Sequence, residues 1–396
     1  MSDAFIVTAL RTAGGKRKGR LSSWHPVDLS AAVIDALVAR SGVDPAAIDD
    51  VIWGCVGQAG EQSSNVARNA VLASGLPESV PATSIDRQCG SSQQALHFAA
   101  QAVMSGTMDI VIAGGVESMT RVPMFTPGTL AEQAGLGTCL SPGMRARYGD
   151  VAFSQFAGAE ALARKHGLTR DDLDAFALLS HQRAIAATQA GRFSDEIVAL
   201  PVRFQDSSIG SRDGELHTVD EGIRFDVTLE AIASVKLLQP GGVISAANAS
   251  QICDGASGLL VVNERGLKTL GVAPLARIHH LQVRGGDPVI MLEAPLAATG
   301  LALRRAGLRI EDIDLYEVNE AFASVPLAWL KALGANGARL NVNGGAIALG
   351  HPLGGSGAKL MTTLVHALRQ RGARYGLQTM CEGGGMANVT IVERLS

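Results

Sequence analysis

At 396 residues and 47% hydrophobic composition, the chain can bury more than one core, as two or three domains or as one large duplicated unit. A formal net charge of −3 gives no electrostatic case for nucleic acid or for an anionic membrane surface. Five cysteines without CxxC spacing read as reduced thiols, no run approaches the ~18 apolar residues of a membrane span, and no signal-peptide pattern precedes the first strand, so the cytoplasm is the expected compartment.

In chain order, a buried strand is predicted at 5–9, followed by a basic turn, Lys16-Arg17-Lys18-Gly19-Arg20, read as solvated. A helix starts at Pro26, with Leu29, Ala32, Val33, Ala36 and Leu37 on one face, and Gly42 stops it. A strand at 51–53, a helix at 65–74, a strand at 81–86, a helix at 90–105 and a strand at 109–113 complete the first series. Strands that are apolar throughout and alternate with helices predict an α/β fold with a parallel sheet covered on both faces. The pattern lapses from 120 to 242, where prolines, Met124, Phe125, Met144 and scattered charge suggest an inserted lobe with a helix at 171–190. It resumes with strands at 259–262 and 275–281, a helix at 296–306, a strand at 313–318, a helix at 321–333 and a strand at 340–342. A glycine-rich stretch, a helix at 356–371 and strands at 377–380 and 388–393 close the chain.

The second series repeats the first. Gly42-Val43-Asp44-Pro45-Ala46-Ala47-Ile48-Asp49 returns as Gly307-Leu308-Arg309-Ile310-Glu311-Asp312-Ile313-Asp314 in its Gly, apolar, Ile and Asp positions. In each copy the next strand leads through a Gly-containing turn to a long helix. That turn holds Cys89 in the first copy and His351 in the second, so two related half-sheets are expected to present both at one face.

Around His351, NVNGGAIALGHPLGGSGAK (341–359) has six glycines, a density that suggests positive φ or close approach to neighbouring chain. It contains no Gly-Lys pair for a Walker loop and lacks the third glycine of a pyrophosphate fingerprint. Cys89, in Asp86-Arg87-Gln88-Cys89-Gly90-Ser91-Ser92, lies at a predicted helix N-terminus, where the dipole is expected to favour a thiolate. Cys381 follows an apolar strand and precedes Gly383-Gly384-Gly385, whose backbone N–H groups can approach an oxygen as an oxyanion hole requires. Asn319-Glu320-Ala321-Phe322 ends a strand, and its plain reading is a helix cap. Cys55, Cys139 and Cys253 have no His or Asp at metal-ligand spacing and read as core or surface.

Taken together, the Cys-Gly-Ser turn at 89–91, GGAIALGHPLGGSG at 344–357, CEGGGMAN at 381–388 and NEAF at 319–322 resemble thiolases, acetyl-CoA C-acyltransferases, over essentially the whole chain. The resemblance implies two five-stranded α/β halves in a five-layer αβαβα core: residues 1–120 completed by 248–273, an inserted lobe at 121–247, and 274–396. It implies a homo-oligomer, a dimer or a dimer of dimers. By the same resemblance Cys89 is the nucleophile, His351 its activator, and Cys381 the acid and base. The N–H groups of Cys89 and Gly383 would form one oxyanion site, and His351 with a water held by Asn319 the other. No cofactor is implied, CoA being substrate and product. Ser250 matches the serine that meets pantetheine, Arg224 is a nucleotide contact, and Met291 and Phe322 line the acyl end. Ser154-Gln155-Phe156 departs from the His-Met of short-chain biosynthetic members, which favours a degradative enzyme for longer or bulkier acyl chains over an acetoacetyl-CoA thiolase. A synthase-type condensing enzyme is the further alternative, and a retained Cys381 argues against it.

Overall fold

Runs such as FIVTALRT and IVIAGGVES are buried along their whole length, which requires a layer on each face of the sheet they enter. The computed structural model describes residues 2–151, 153–203 and 214–395. Its principal strands are β1 (Phe5–Thr12), β2 (Asp50–Gly54), β3 (Ala82–Ile85), β4 (Ile110–Ser118), β5 (Cys253–Val262), β6 (Ala276–Gly285), β7 (Leu315–Val318), β8 (Tyr375–Glu382) and β9 (Met386–Glu393). They lie in the order β7-β8-β9-β6-β1-β5-β4-β2-β3. The run β1-β5-β4-β2 on one side matches β6-β9-β8-β7 on the other, and the two join where β1 pairs with β6 at Phe5↔Arg277 and Ile6↔Ala276.

The sheet is mixed, not parallel as the alternation predicts. β2 runs parallel to β3 and β4, and β7 parallel to β8, but β5 is antiparallel to β4 and β1, and β9 to β8 and β6. The reason is in the connections: β9 follows β8 through a tight glycine turn, and a hairpin can close only an antiparallel pair. The predicted strand at 340–342 is reduced to two isolated bridges, Tyr316↔Leu340 and the local Val342↔Gly344, so the counterpart of β3 is missing as a strand.

The main helices are α1 (Pro26–Ser41), α2 (Val66–Ala73), α3 (Ser91–Ser105), α4 (Gln155–Lys165), α5 (Arg170–Gln189), α6 (Ala294–Ala306), α7 (Ser324–Leu333) and α8 (Ser356–Arg371). Proline at its start and a left-handed Gly42 (φ 69°) at its end bound α1, as the sequence indicates. α1 and α2 cover one outer face and α6 and α7 the other, while α3 and α8 lie between the two half-sheets, giving five layers. The middle layer packs Leu96 and Val103 of α3 with Met361, Leu364 and Leu368 of α8 against Val261 and Val392 of the sheet. At the helix crossing a Cβ on Gly357 would fall 2.2 Å from the Gln93 backbone nitrogen, so only glycine lets α3 and α8 start side by side.

The lobe, with α4 and α5, is tied to this frame by buried charge. Arg11 of β1 bonds Glu196 (2.6 Å) and Asp220 (2.9 Å), and Lys359 of α8 reaches the same Asp220 (3.2 Å). Burial alone would raise the Asp220 carboxyl, but Arg11 and Lys359 hold it below the usual carboxylate range. Because each ion is costly to desolvate, such a cluster fixes geometry more than it adds stability. Among the described residues no helix is long and apolar enough to cross a membrane.

Candidate active site

The turn that carries Cys89 is built from its own residues. Asp86 accepts a hydrogen bond from the Gln88 N–H (2.6 Å), and the Ser91 hydroxyl accepts from the Arg87 N–H (2.9 Å) while donating to the Gln88 carbonyl (2.6 Å). Gln88 is forced to φ 50°, uncommon for a side-chain-bearing residue, and Cys89 is delivered just ahead of Gly90, the N-cap of α3. It opens on a cavity of about 610 Å³ lined also by Glu117, Val122, Phe125, Leu140 and Gly383.

Cys381, near the end of β8, is buried. Its thiol is pushed well above its ordinary value by burial first, then by Cys89 and Glu382. The residues flanking the two cysteines touch, a Cβ on Gly90 falling 2.0 Å from Glu382 Oε1 and one on Gly383 2.9 Å from Gln88 Oε1. The helix N-terminus does not give Cys89 the depressed pKa the sequence suggests. Burial, followed by the Glu382 carboxylate, pushes the Cys89 thiol up to about 12. Both sulfurs therefore rest as thiols and need a proton acceptor to react.

His351 sits between a short helix, Ala346–Leu349, and a 3-10 turn, Leu353–Gly355. The Ser356 hydroxyl donates to the Pro352 carbonyl (2.7 Å), so its oxygen accepts from His351 Nδ1–H (2.5 Å). Nε2 then carries the lone pair and accepts from the Asn319 side-chain N–H at 3.3 Å. Burial, aided by the Lys359 charge, lowers the imidazole to about 3 and keeps it neutral. Lys359 also donates to the Leu349 carbonyl (2.5 Å), which steadies the turn from below. Asn319 Oδ1 is buried without a hydrogen-bond partner among the described residues.

Two glutamates that sequence reasoning did not assign to the site hold it together. Glu320 accepts from Ser180 (2.6 Å), Asn341 (2.9 Å) and the Ile347 N–H (3.1 Å), so NEAF is a clamp on the His351 loop; α7 begins only at Ser324 and has no side-chain cap. Glu117 accepts from the N–H groups of Val56 (3.0 Å), Gly57 (2.9 Å) and Gly354 (2.9 Å) and from Gln62 (2.7 Å). It thereby joins the loop after β2 to the turn after His351, across the two halves. A lone charge at the end of the apolar run IVIAGGVES was the available signal.

His351 lines a second cavity, about 490 Å³, with Lys16, Arg17, Arg224, Ser250 and Phe322. The two cavities share Met119, Met124, Gln155 and Leu353 as walls, so they adjoin. The Ser250 N–H donates to the Ala321 carbonyl (2.9 Å), and Phe322 meets Phe156 edge-on at 5.7 Å. Met291 is buried in the apolar cluster that includes Phe322 and Cys381 and lines neither cavity. Thus Cys89, Cys381 and Gly383 come together, Asn319 meets His351, and Ser250, Arg224 and Phe322 share His351's cavity. Two thiols and a neutral imidazole whose unprotonated nitrogen can take up a proton are suited to carrying an acyl group on sulfur while protons are exchanged.

The thiolase N-terminal domain family matches residues 4–265, and the thiolase C-terminal domain family residues 272–394. The chain is 50% identical to the steroid 3-ketoacyl-CoA thiolase FadA6 of Mycobacterium tuberculosis, over all of this chain and 95% of that protein. It is 43% identical to the 3-ketoacyl-CoA thiolases of Yersinia pestis and Pseudoalteromonas translucida, over the full length of each.

Proposed function

The chain belongs to the thiolase family and is an acyltransferase; from that premise we propose that it cleaves 3-oxoacyl-CoA thioesters in the degradative direction through an acyl-Cys89 intermediate. His351 Nε2, the unprotonated nitrogen, takes the Cys89 proton in place of its hydrogen bond from Asn319, and the sulfur attacks the 3-keto carbon. The bond between C2 and C3 breaks, leaving acyl-Cys89 and the enolate of acetyl-CoA, which Cys381 protonates at C2. Free CoA then enters, Cys381 takes its thiol proton, and attack on acyl-Cys89 releases an acyl-CoA one acetyl unit shorter while His351 returns its proton to the departing Cys89 sulfur. Run in reverse, the same steps make a Claisen condensation.

Charge on the oxygen of the C3 carbonyl meets the Cys89 and Gly383 N–H groups. Charge on the thioester oxygen meets His351, protonated at Nε2, and a water held by Asn319, whose unpartnered Oδ1 supports that role. Removing one such donor costs on the order of 3 kcal/mol of barrier. CoA is substrate and product, and no separate cofactor takes part. Its pantetheine lies by Ser250, and its phosphates by Arg224 with Lys16 and Arg17. Phe322, backed by Met291, closes the acyl end. The apolar walls of the Cys89 cavity suit acyl groups larger than acetyl.

The chain works in the cytoplasm, a reading supported by five free cysteines. It assembles as a homo-oligomer. The sheet ends on β3, and Leu72 and Phe98 are exposed apolar side chains in the first half.

The single observation that carries this reading is that the cavity of Cys89 and the cavity of His351 adjoin across shared walls, which puts both residues within the reach of one thioester. Mass spectrometry after exposure to acetyl-CoA is expected to find acetyl-Cys89; turnover with Cys89 unmodified would refute the assignment. Thiolysis rates across a series of 3-oxoacyl-CoA chain lengths, with a sterol side-chain analogue, fix the preferred acyl group. A maximum at acetoacetyl-CoA would overturn the larger-acyl reading.

A further inference from the structure

The mechanism leaves one buried acid at the site without a task. Glu382 ends β8 immediately after Cys381 and is fully buried. Neither of its carboxylate oxygens completes a hydrogen bond among the described residues. Buried ionised carboxylates ordinarily gather several donors, as Glu117 and Glu320 do here, so a bare one is built to stay neutral. Its side chain crosses to the other half of the molecule and lies on the turn of the nucleophile. A Cβ placed on Gly90 would fall 2.0 Å from Oε1 and 2.7 Å from Cδ, so glycine at position 90 is what makes room for this acid.

We propose that Glu382 is a positioning residue that works in its neutral form, packing the Cys381 strand onto the Cys89–Gly90 turn while adding no negative charge beside either sulfur. This rests on the assignment of Cys89 and Cys381 above. When Glu382 ionises, its charge opposes thiolate formation at both. Burial holds the carboxyl up at about 8, opposed first by the Arg87 charge and then by the Asn388 N–H, which points toward the carboxyl without reaching hydrogen-bond geometry. It thus crosses from neutral to charged in a range where the enzyme can be assayed.

The charged and titratable groups around it are few. Arg87, on the turn, is the cation that faces Glu382, and its guanidinium otherwise meets the Met386 sulfur at 3.9 Å. From α3 and β6, His97 and His280 face Arg87 or each other, and burial holds both below the ordinary histidine value. Asp86 on the turn and Glu117 on β4 bear on Cys89 and not on Glu382.

The test compares the full-length enzyme with Glu382→Gln and Glu382→Met, reading thiolysis of a 3-oxoacyl-CoA from pH 7 to 9. A group titrating near 8 loses its neutral form roughly tenfold over that span, so the ratio of variant to wild-type rate is expected to grow by about tenfold. The rate of Cys89 alkylation by iodoacetamide is expected to show the same growing ratio. Glu382→Met, apolar and close in volume, keeps the test open if the buried amide of the Gln variant prevents folding. A ratio that stays flat with pH in both assays overturns the proposal. Absence of acetyl-Cys89 in the wild type at every pH is the separate result that would remove the catalytic assignment beneath it.

Discussion

The Cys89 turn and the His351 turn occupy corresponding places in two copies of one frame, and they are held by different means. Cys89 follows a formed strand, β3, paired with β2 over four registered positions, and its turn is closed by Asp86 and Ser91 from within. His351 follows no strand. Its loop has a single bridge to Tyr316 and is held by side chains far along the chain: Glu320, Ser180 of the lobe and Glu117 of the other half. The Cys89 turn is thus closed by hydrogen bonds among its own residues, with Glu382 of the other half packed on it, while the imidazole's turn is an assembly product. The lobe, attached through Ser180, takes part in placing the imidazole.

The sharpest way to break the comparison is Cys89→Ala. Because that turn does not depend on its thiol, the fold is expected to survive by circular dichroism while turnover falls on the order of 10⁴-fold or more. Next is Glu117→Gln, which puts an amide NH₂ where only acceptors are wanted. It is expected to cost about 1–3 kcal/mol in thermal unfolding. Turnover should fall with no loss of Cys89 alkylation, since the His351 turn moves and the Cys89 turn stays. Equal loss of both would show that the two turns share their support.

The smallest effect is with pH. His97 in the first half and His351 in the second are both buried neutral and lowered to about 3, against an ordinary value of about 6.5. An unfolded chain takes up those protons first, so their contribution is complete above pH ~6.5 and is lost as pH falls toward 3. The melting temperature is expected to fall on acidification below 6.5, and less steeply in His97→Gln. An unchanged slope would mean that His97 is charged in the folded state.

Much of the site was legible because functional turns sit where strands end, and such turns need residues with distinctive backbone demands. The three glycines after Cys381 mark its turn, and Gly384 and Gly385 adopt φ 80° and 78°. The density of glycine around His351 was legible as close approach, although not to what: Gly354 lies against the backbone of Val116 and Cys55, and Gly357 against Gln93. Glu117 and Glu382 were not legible, because their roles depend on groups hundreds of residues away; Glu117 and Gly354 are 237 positions apart. Met291 is the opposite case, a residue that the family resemblance places at the acyl end and whose side chain packs into the core beside Phe322.

By itself the sequence indicated most helix starts and stops, that the frame occurs twice, and which turns carry the two sulfurs and the imidazole. Those are properties of a residue and its near neighbours: a proline at N1, a left-handed glycine at a helix end, an apolar run that needs cover on both faces. Only the tertiary structure decided strand direction, the neutral state of His351, the raised pKa of both thiols and the burial of Glu382. Each of these is set by how much water is removed from a group and which charges replace it, and here those atoms come from both halves of the chain.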